Sequence, residues 1–329
     1  MTLRQLSDLI IPALKNRWAK VGLKSVLGLL VLLAVGRHVR STLVRIQEQG
    51  GVLKVEPIWV VLGLLLYLLG LILYGIYFAL VLKASATPGS STVAVRAYLI
   101  SHLGKYVPGK ALVVLIRVAL TRPHGVRPAT SAFASLYETF VMMTSGSLVA
   151  LVGFLARPTV SWLILISFGL SVAFLLVVLP RCFPYVSALL SMPFKGVGPE
   201  ALPRFTPGLL AEGLVISGAG WGLLGLSQVA VIRAVTDSGV DPRDWPLVIA
   251  SVALATVAGF VVAILPGGLG VREGILMATL APCVGADTAV LGALALRLVW
   301  LLGELLAAGA LMLLRPRVSA DPLIEVPVT

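Results

Sequence analysis

Long apolar runs alternate along the chain with short polar, basic or Pro-Gly-rich stretches. The runs fall at about 22–36, 57–82, 131–155, 161–179, 209–234, 247–265 and 287–314. Most approach the roughly 20 apolar residues that a helix needs to cross a hydrocarbon layer of about 30 Å. The alternating segments of a membrane β-barrel are absent. The pattern predicts an all-α polytopic membrane protein with about seven to eight transmembrane helices.

Two further apolar stretches are interrupted. Residues 98–120, YLISHLGKYVPGKALVVLIRVAL, break at Pro108 and Gly109. Residues 259–280, GFVVAILPGGLGVREGILMATL, break at Pro266, Gly267, Gly268 and Gly270. Each reads apolar, Pro-Gly, small or basic, then a short apolar helix with an arginine. Irregular backbone at membrane depth survives only where protein or a water-filled cavity surrounds it. Gly/Pro-interrupted hydrophobic segments at matching places in two halves point to a transporter site. The two breaks therefore predict re-entrant half-helices in a pseudo-repeat, with halves at about 22–180 and 205–314.

Charge orients this picture. The 329-residue chain is 58% hydrophobic and 12% charged, with a net charge of +12. In a membrane protein that surplus follows the positive-inside bias and anionic lipid surfaces, and no nucleic-acid partner is expected. Residues 1–21 are basic, with apolar positions on one helical face, and read as a cytoplasmic interfacial amphipathic helix. No acid occurs between Pro57 and Tyr137, whereas Lys83, Arg96, Lys105, Lys110, Arg117, Arg122 and Arg127 do, which marks this side as cytoplasmic. Residues 180–208, rich in proline and glycine, read as a connector between the halves, and 315–329 as a polar tail. If both breaks are re-entrant and the other runs all cross, the tail falls outside, against the preference of Arg315 and Arg317.

The candidate chemistry lies in ionisable residues at membrane depth, where each charge costs at least about 2.5–3.5 kcal/mol on insertion scales. These are Glu138, Arg272, Glu273, Arg297 and Glu304. Arg297 and Glu304 are seven apart and share a helical face. Pairing of Arg297 with Glu138, or of Arg272 with Glu304, would make them structural glue. The same residues could instead form a polar site or a proton path. The half-helix after Pro266 offers freed N–H groups and a positive dipole end. With Lys105, Lys110, Arg117 and Arg272 added, that arrangement would hold a phosphate or phosphodiester. Tyr106 and Tyr137 could touch a head group or pack in the core. His38, His102 and His124 stand singly, and Cys182 and Cys283 make no metal or disulfide spacing, so neither metal nor cofactor is expected. No nucleotide-binding or hydrolase motif occurs.

The runs ILPGGLGVREG and GKYVPGK resemble the flippase-like membrane family related to the transmembrane region of lysylphosphatidylglycerol synthase. The resemblance covers roughly 20–314. It implies lipid translocation, expected in a bacterial cytoplasmic membrane; the basic amino-terminal segment puts the amino terminus inside. The expected cargo is an anionic or aminoacylated phospholipid or a polyprenyl-linked lipid. Lys105, Tyr106, Pro108, Gly109 and Lys110 map onto one family motif, and Pro266, Gly267, Gly268, Gly270, Arg272 and Glu273 onto the other. The chain has no soluble aminoacylating domain, so no enzymatic activity is expected. A non-transporting partner of a glycosyltransferase or lipid synthase, a head-group enzyme and a small-solute transporter are the alternatives.

Overall fold

The computed structural model describes residue 44 and residues 55–85, 90–106, 111–157, 161–191, 205–236, 239–262 and 270–314. The expected interfacial helix, the first run at 22–36 and the tail lie outside these residues. So do Pro108, Gly109, Lys110, Pro266, Gly267 and Gly268.

Ten α-helices are described: α1 (Pro57–Lys83), α2 (Ser91–Ser101), α3 (Ala111–Thr121), α4 (Pro128–Ala156), α5 (Ser161–Val178), α6 (Phe183–Ser191), α7 (Pro207–Val235), α8 (Trp245–Val261), α9 (Val271–Val284) and α10 (Ala286–Leu313). A 3-10 turn, His102–Tyr106, continues α2. There are no strands among the described residues. Six helices, α1, α4, α5, α7, α8 and α10, are long and apolar enough to cross a membrane. The protein is an all-α polytopic membrane protein. Proline opens α1, α4 and α7, where its missing N–H has no intrahelical partner to lose. Two details go beyond the sequence reading. The connector 180–208 contains α6, because Pro184 sits in a first turn ahead of an apolar run instead of breaking one. The first interrupted stretch begins at Ser91, not at 98, and Ser90 Oγ accepts from the Thr92 N–H at 3.3 Å to cap it.

Helix order along the bundle axis follows from the cross-contacts. Let the end at Pro57 be the near end. α7 runs antiparallel to α1: the Glu56 N–H donates to Ala234 O at 2.9 Å, Gly63 abuts Ser227 and Val231, and Tyr77 Oη donates to Leu209 O at 3.2 Å. α4 finishes at the near end, where Arg157 pairs with Asp244 and Gly153 abuts Pro246. α10 starts there, with Gly292 against Ile232, and descends until Leu311 O accepts from Arg96 of α2 at the far end. The segment α2–α3 therefore leaves the far end and returns to it. The segment α8–α9 does the same from the near end.

The arrangement is duplicated and inverted. α1, α2–α3 and α4 have their counterparts in α7, α8–α9 and α10. α1 packs along α2 as α7 packs along α8, and α3 packs on α4 as α9 packs on α10. α1 and α7 form the central contact. Without a hydrophobic drive between helices in lipid, close packing and internal hydrogen bonds hold such a bundle. Ser227 Oγ donates to Gly63 O at 2.7 Å and accepts from Trp300 Nε1 at 3.1 Å, tying α7 to α1 and α10. The outward faces stay apolar, as in Leu65 and Leu69 of α1 and Leu165 and Phe168 of α5.

Candidate functional site

The described ends of the two returning segments, His102–Tyr106 after α2 and Gly270 at the start of α9, come together between α1 and α10. At the first turn, the 3-10 period of three puts His102 and Lys105 on one face. Lys105 Nζ pairs with Glu304 of α10, which also accepts from Tyr67 Oη of α1. His102 Nε2 lies 4.0 Å from the same carboxylate. At the second turn, Gly270 has φ +81°, a left-handed conformation that suits glycine, and opens α9. Glu273 closes that helix start: its Oε2 accepts from the Gly270 N–H at 2.7 Å. Its other oxygen accepts from Arg297 of α10. Thus α10 grips both turns from one face, through Arg297 and Glu304.

A third pair sits one layer away. Arg117 of α3 donates to Glu138 of α4 at 2.8 Å and to Ser101 Oγ at 3.1 Å. The guanidinium lies 4.2 Å from the Tyr98 ring centroid and 4.9 Å from that of Phe78. Both partners are buried, at 2% and 0% exposure. Charges removed from water this completely are tolerated only when paired and hydrogen-bonded.

Arg272 is bound differently. Its guanidinium lies 4.8 Å from the Trp300 ring centroid, and that ring stacks on Tyr67 at 4.4 Å and 8°. Among the described residues it has no ion pair. Beside it opens a cavity of about 220 Å³ with largely apolar walls, among them Leu136, Met142 and Phe260. Its polar lining includes Lys105, Arg117, Arg272 and His102. A narrow recess continues to Tyr106 and Arg297.

The structure thus gathers Lys105, Arg117 and Arg272 around the cavity and Tyr106 and Arg297 with Lys105 and Arg272 around the recess, while Glu138, Glu273 and Glu304 line neither. It corrects the expected pairings. Arg297 meets Glu273 and not Glu138, whose partner is Arg117; Glu304 meets Lys105 and not Arg272. The reason is topological: the returning segments bring Lys105 to Glu304 and Glu273 to Arg297 on α10, Arg117 meets Glu138 where α3 packs on α4, and Arg272 faces Trp300 of α10 instead of a carboxylate. Tyr137 is away from the cavity, packed on Phe183 and Phe205 with ring centroids 4.8 Å and 4.4 Å away. Glu212 is exposed. Sequence reasoning missed His102, Tyr67 and Trp300. The spacing of His102 and Lys105 across a tight turn was the signal for the first; the tyrosine and tryptophan looked like any interfacial or core aromatic.

The model of the family described as the lysylphosphatidylglycerol synthase TM region matches residues 20–308. No curated protein matches the chain.

Proposed function

We propose, for a chain that belongs to the lysylphosphatidylglycerol synthase TM-region family, that it transports a phosphate-bearing lipid between the leaflets of a membrane. The family is a membrane family tied to lipid metabolism or transport. The observation that carries the reading is the cavity inside the bundle, with Lys105, Arg117 and Arg272 in a largely apolar wall. Apolar surroundings strengthen a cation–phosphate contact, and a space at the middle of the bundle suits a head group in transit.

In this reading α2–α3 and α8–α9 are re-entrant segments entering from opposite membrane faces. His102–Tyr106 and the start of α9 bound the head-group site, and acyl or prenyl chains stay in lipid. A head-group phosphate would compete with Glu304 for Lys105 and with Glu273 for Arg297. Loosening those pairs frees α10 from both turns, which offers a route to alternate opening. The far end carries Lys83, Arg122, Arg127 and Arg181, whereas at the near end Arg157 pairs with Asp244 and Arg233 with Glu56, beside Arg243, Asp241 and Asp287, so the far end is assigned to the cytoplasm. A bacterial cytoplasmic membrane is the proposed location.

Reconstitution tests the reading. Full-length protein in liposomes should accelerate transbilayer movement of acyl-labelled phospholipid, followed by chemical quenching of the outer leaflet. Movement no faster than in protein-free vesicles, across phospholipids and polyprenyl phosphates, would overturn it.

A further inference from the structure

Lys105 lines both the cavity and the recess, whereas its partner Glu304, 1% exposed, lines neither. A phosphate in this space therefore reaches the ammonium and not the carboxylate behind it. Lys105 is the only lysine or arginine paired with Glu304 among the described residues. Glu304 Oε1 accepts from Lys105 and from Tyr67, and its buried Oε2 has no hydrogen-bond partner among them. The other ionisable groups packed against this part of α10 are placed differently. The turn after α2 brings His102 and Tyr106, and α2 itself brings Arg96, which donates to Leu311 O two turns further along α10. α9 brings Arg272, held on Trp300, and Glu273, paired with Arg297 of α10 itself. α7 brings none, since Glu212 and Arg233 lie near its two ends.

Glu304 thus depends on Lys105 for its charge partner. Glu273 keeps the Gly270 N–H if Arg297 moves. Glu138 is held by Arg117, which is also bonded to Ser101 and enclosed by the Tyr98 and Phe78 rings. A phosphate that takes Lys105, with Arg272 as its second cation, leaves Glu304 only the Tyr67 hydroxyl. An ionised carboxylate buried without a cation is costly, and it takes up a proton instead. The proton has a way in. His102 lines the cavity, and its Nε2 lies 4.0 Å from the carboxylate, so an imidazole stands between the cavity and Glu304. By linkage, the phosphate and the proton then strengthen each other's binding.

We propose that Glu304 is a proton-binding site coupled to the lipid. It takes up a proton when a head-group phosphate takes Lys105 and releases it when the lipid leaves, so lipid and proton cross together in the same direction. The carboxylate becomes a carboxylic acid with a proton from the aqueous side the lipid enters from, and that proton goes to the opposite side. For a singly charged phosphodiester the movement is electroneutral. The inference rests on the transport reading above and supplies its driving force, a proton gradient.

The test follows a trace of acyl-labelled phosphatidylglycerol in proteoliposomes of the full chain by quenching the outer leaflet. Protein-free vesicles under the same gradient set the baseline. At equal pH, wild-type protein should bring the label to equal occupancy of the two leaflets. With the outside more acid by about one pH unit, the inner-to-outer ratio should rise toward about tenfold, because one unit carries the free energy of a tenfold ratio. Collapsing the gradient with nigericin should return the ratio to equality. Glu304→Gln keeps an acceptor for Tyr67 and should give equal occupancy with or without the gradient. The wild-type ratio decides the question even if that variant fails to reconstitute. In weakly buffered detergent solution, wild-type protein should also take up about one proton per short-chain phosphatidylglycerol bound, and Glu304→Gln none. Label that equilibrates at equal pH but ignores the gradient, with no proton uptake on binding, overturns the coupling and leaves transport standing. Accumulation on the acid side would make the movement an exchange and overturns joint binding. No movement faster than in protein-free vesicles under either condition removes both readings.

Discussion

Arg117 and Glu138 are the pair whose loss should be felt most. Their N–O distance is 2.8 Å, and their exposures are 2% and 0%. Removing one member strands a buried charge, which costs about 3–5 kcal/mol, whereas replacing both with apolar residues of similar size is often neutral. Arg117→Met and Glu138→Leu should each lower the thermal midpoint in detergent strongly, and the double variant should recover most of the loss. Additive losses in that double-mutant cycle would show the two to be uncoupled. A milder effect belongs to Glu273. Glu273→Gln keeps an acceptor for the Gly270 N–H and loses the charge partner of Arg297; Glu273→Ala loses both. Alanine should therefore be the less stable variant by about 1 kcal/mol, the usual worth of a cap, in the same melts. The charged residues themselves were legible from membrane depth alone. Their partners were not, because Lys105 and Glu304 are 199 residues apart and Arg297 and Glu273 are 24 apart on different helices. Hydropathy carries depth, and pairing needs the path of the backbone.

Among the elements, the long spans were legible to within a few residues, since a run such as 57–82 can only be helical in lipid. What the runs do not reveal is which face meets which neighbour. Here small residues decide. A Cβ on Gly153 would lie 2.6 Å from Pro246 O, and one on Gly225 would lie 2.6 Å from Ile249 Cα. Both obstacles are backbone, which no rotamer change relieves, so α4 and α7 would have to move away from α8. Gly153→Ala and Gly225→Ala should each cost about 1–3 kcal/mol, as overpacking does. Gly222, also on α7, has no atom within 4 Å of the same position. Gly222→Ala should be neutral or stabilising by up to about 1 kcal/mol, because alanine favours the helix. Equal midpoints for Gly225→Ala and Gly222→Ala would show that the α7–α8 contact is not tight. α6 was not anticipated because 180–208 was read from its proline and glycine content as a connector, and a proline in a first turn, as Pro184 is, starts a helix.

The fold of the whole molecule turns on whether α8 crosses. Its 17 residues are apolar but for Ser251 and Thr256, and length alone made it a span that ended on the other side. That reading left the tail opposite the basic surface that Arg315 and Arg317 would favour. In the structure α8 and the 14-residue α9 form one excursion that starts and ends at the near end, so α10 descends to the far end. Hydropathy cannot distinguish these cases, because a half-helix enclosed by other helices is as apolar as one facing lipid. The consequence is a definite sidedness. Lys83, Arg127 and Leu314 are exposed at the far end, and Ser161 is exposed at the near end. In a background with Cys182 and Cys283 replaced by serine, single variants Lys83→Cys, Arg127→Cys and Leu314→Cys should react with a membrane-impermeant maleimide from one side only. Ser161→Cys should react only from the other. The decisive position is Leu314, since a crossing α8 would put it with Ser161. Labelling of Leu314→Cys from the Ser161 side would break the inverted duplication, and with it the meeting of Lys105 and Arg272 at one cavity.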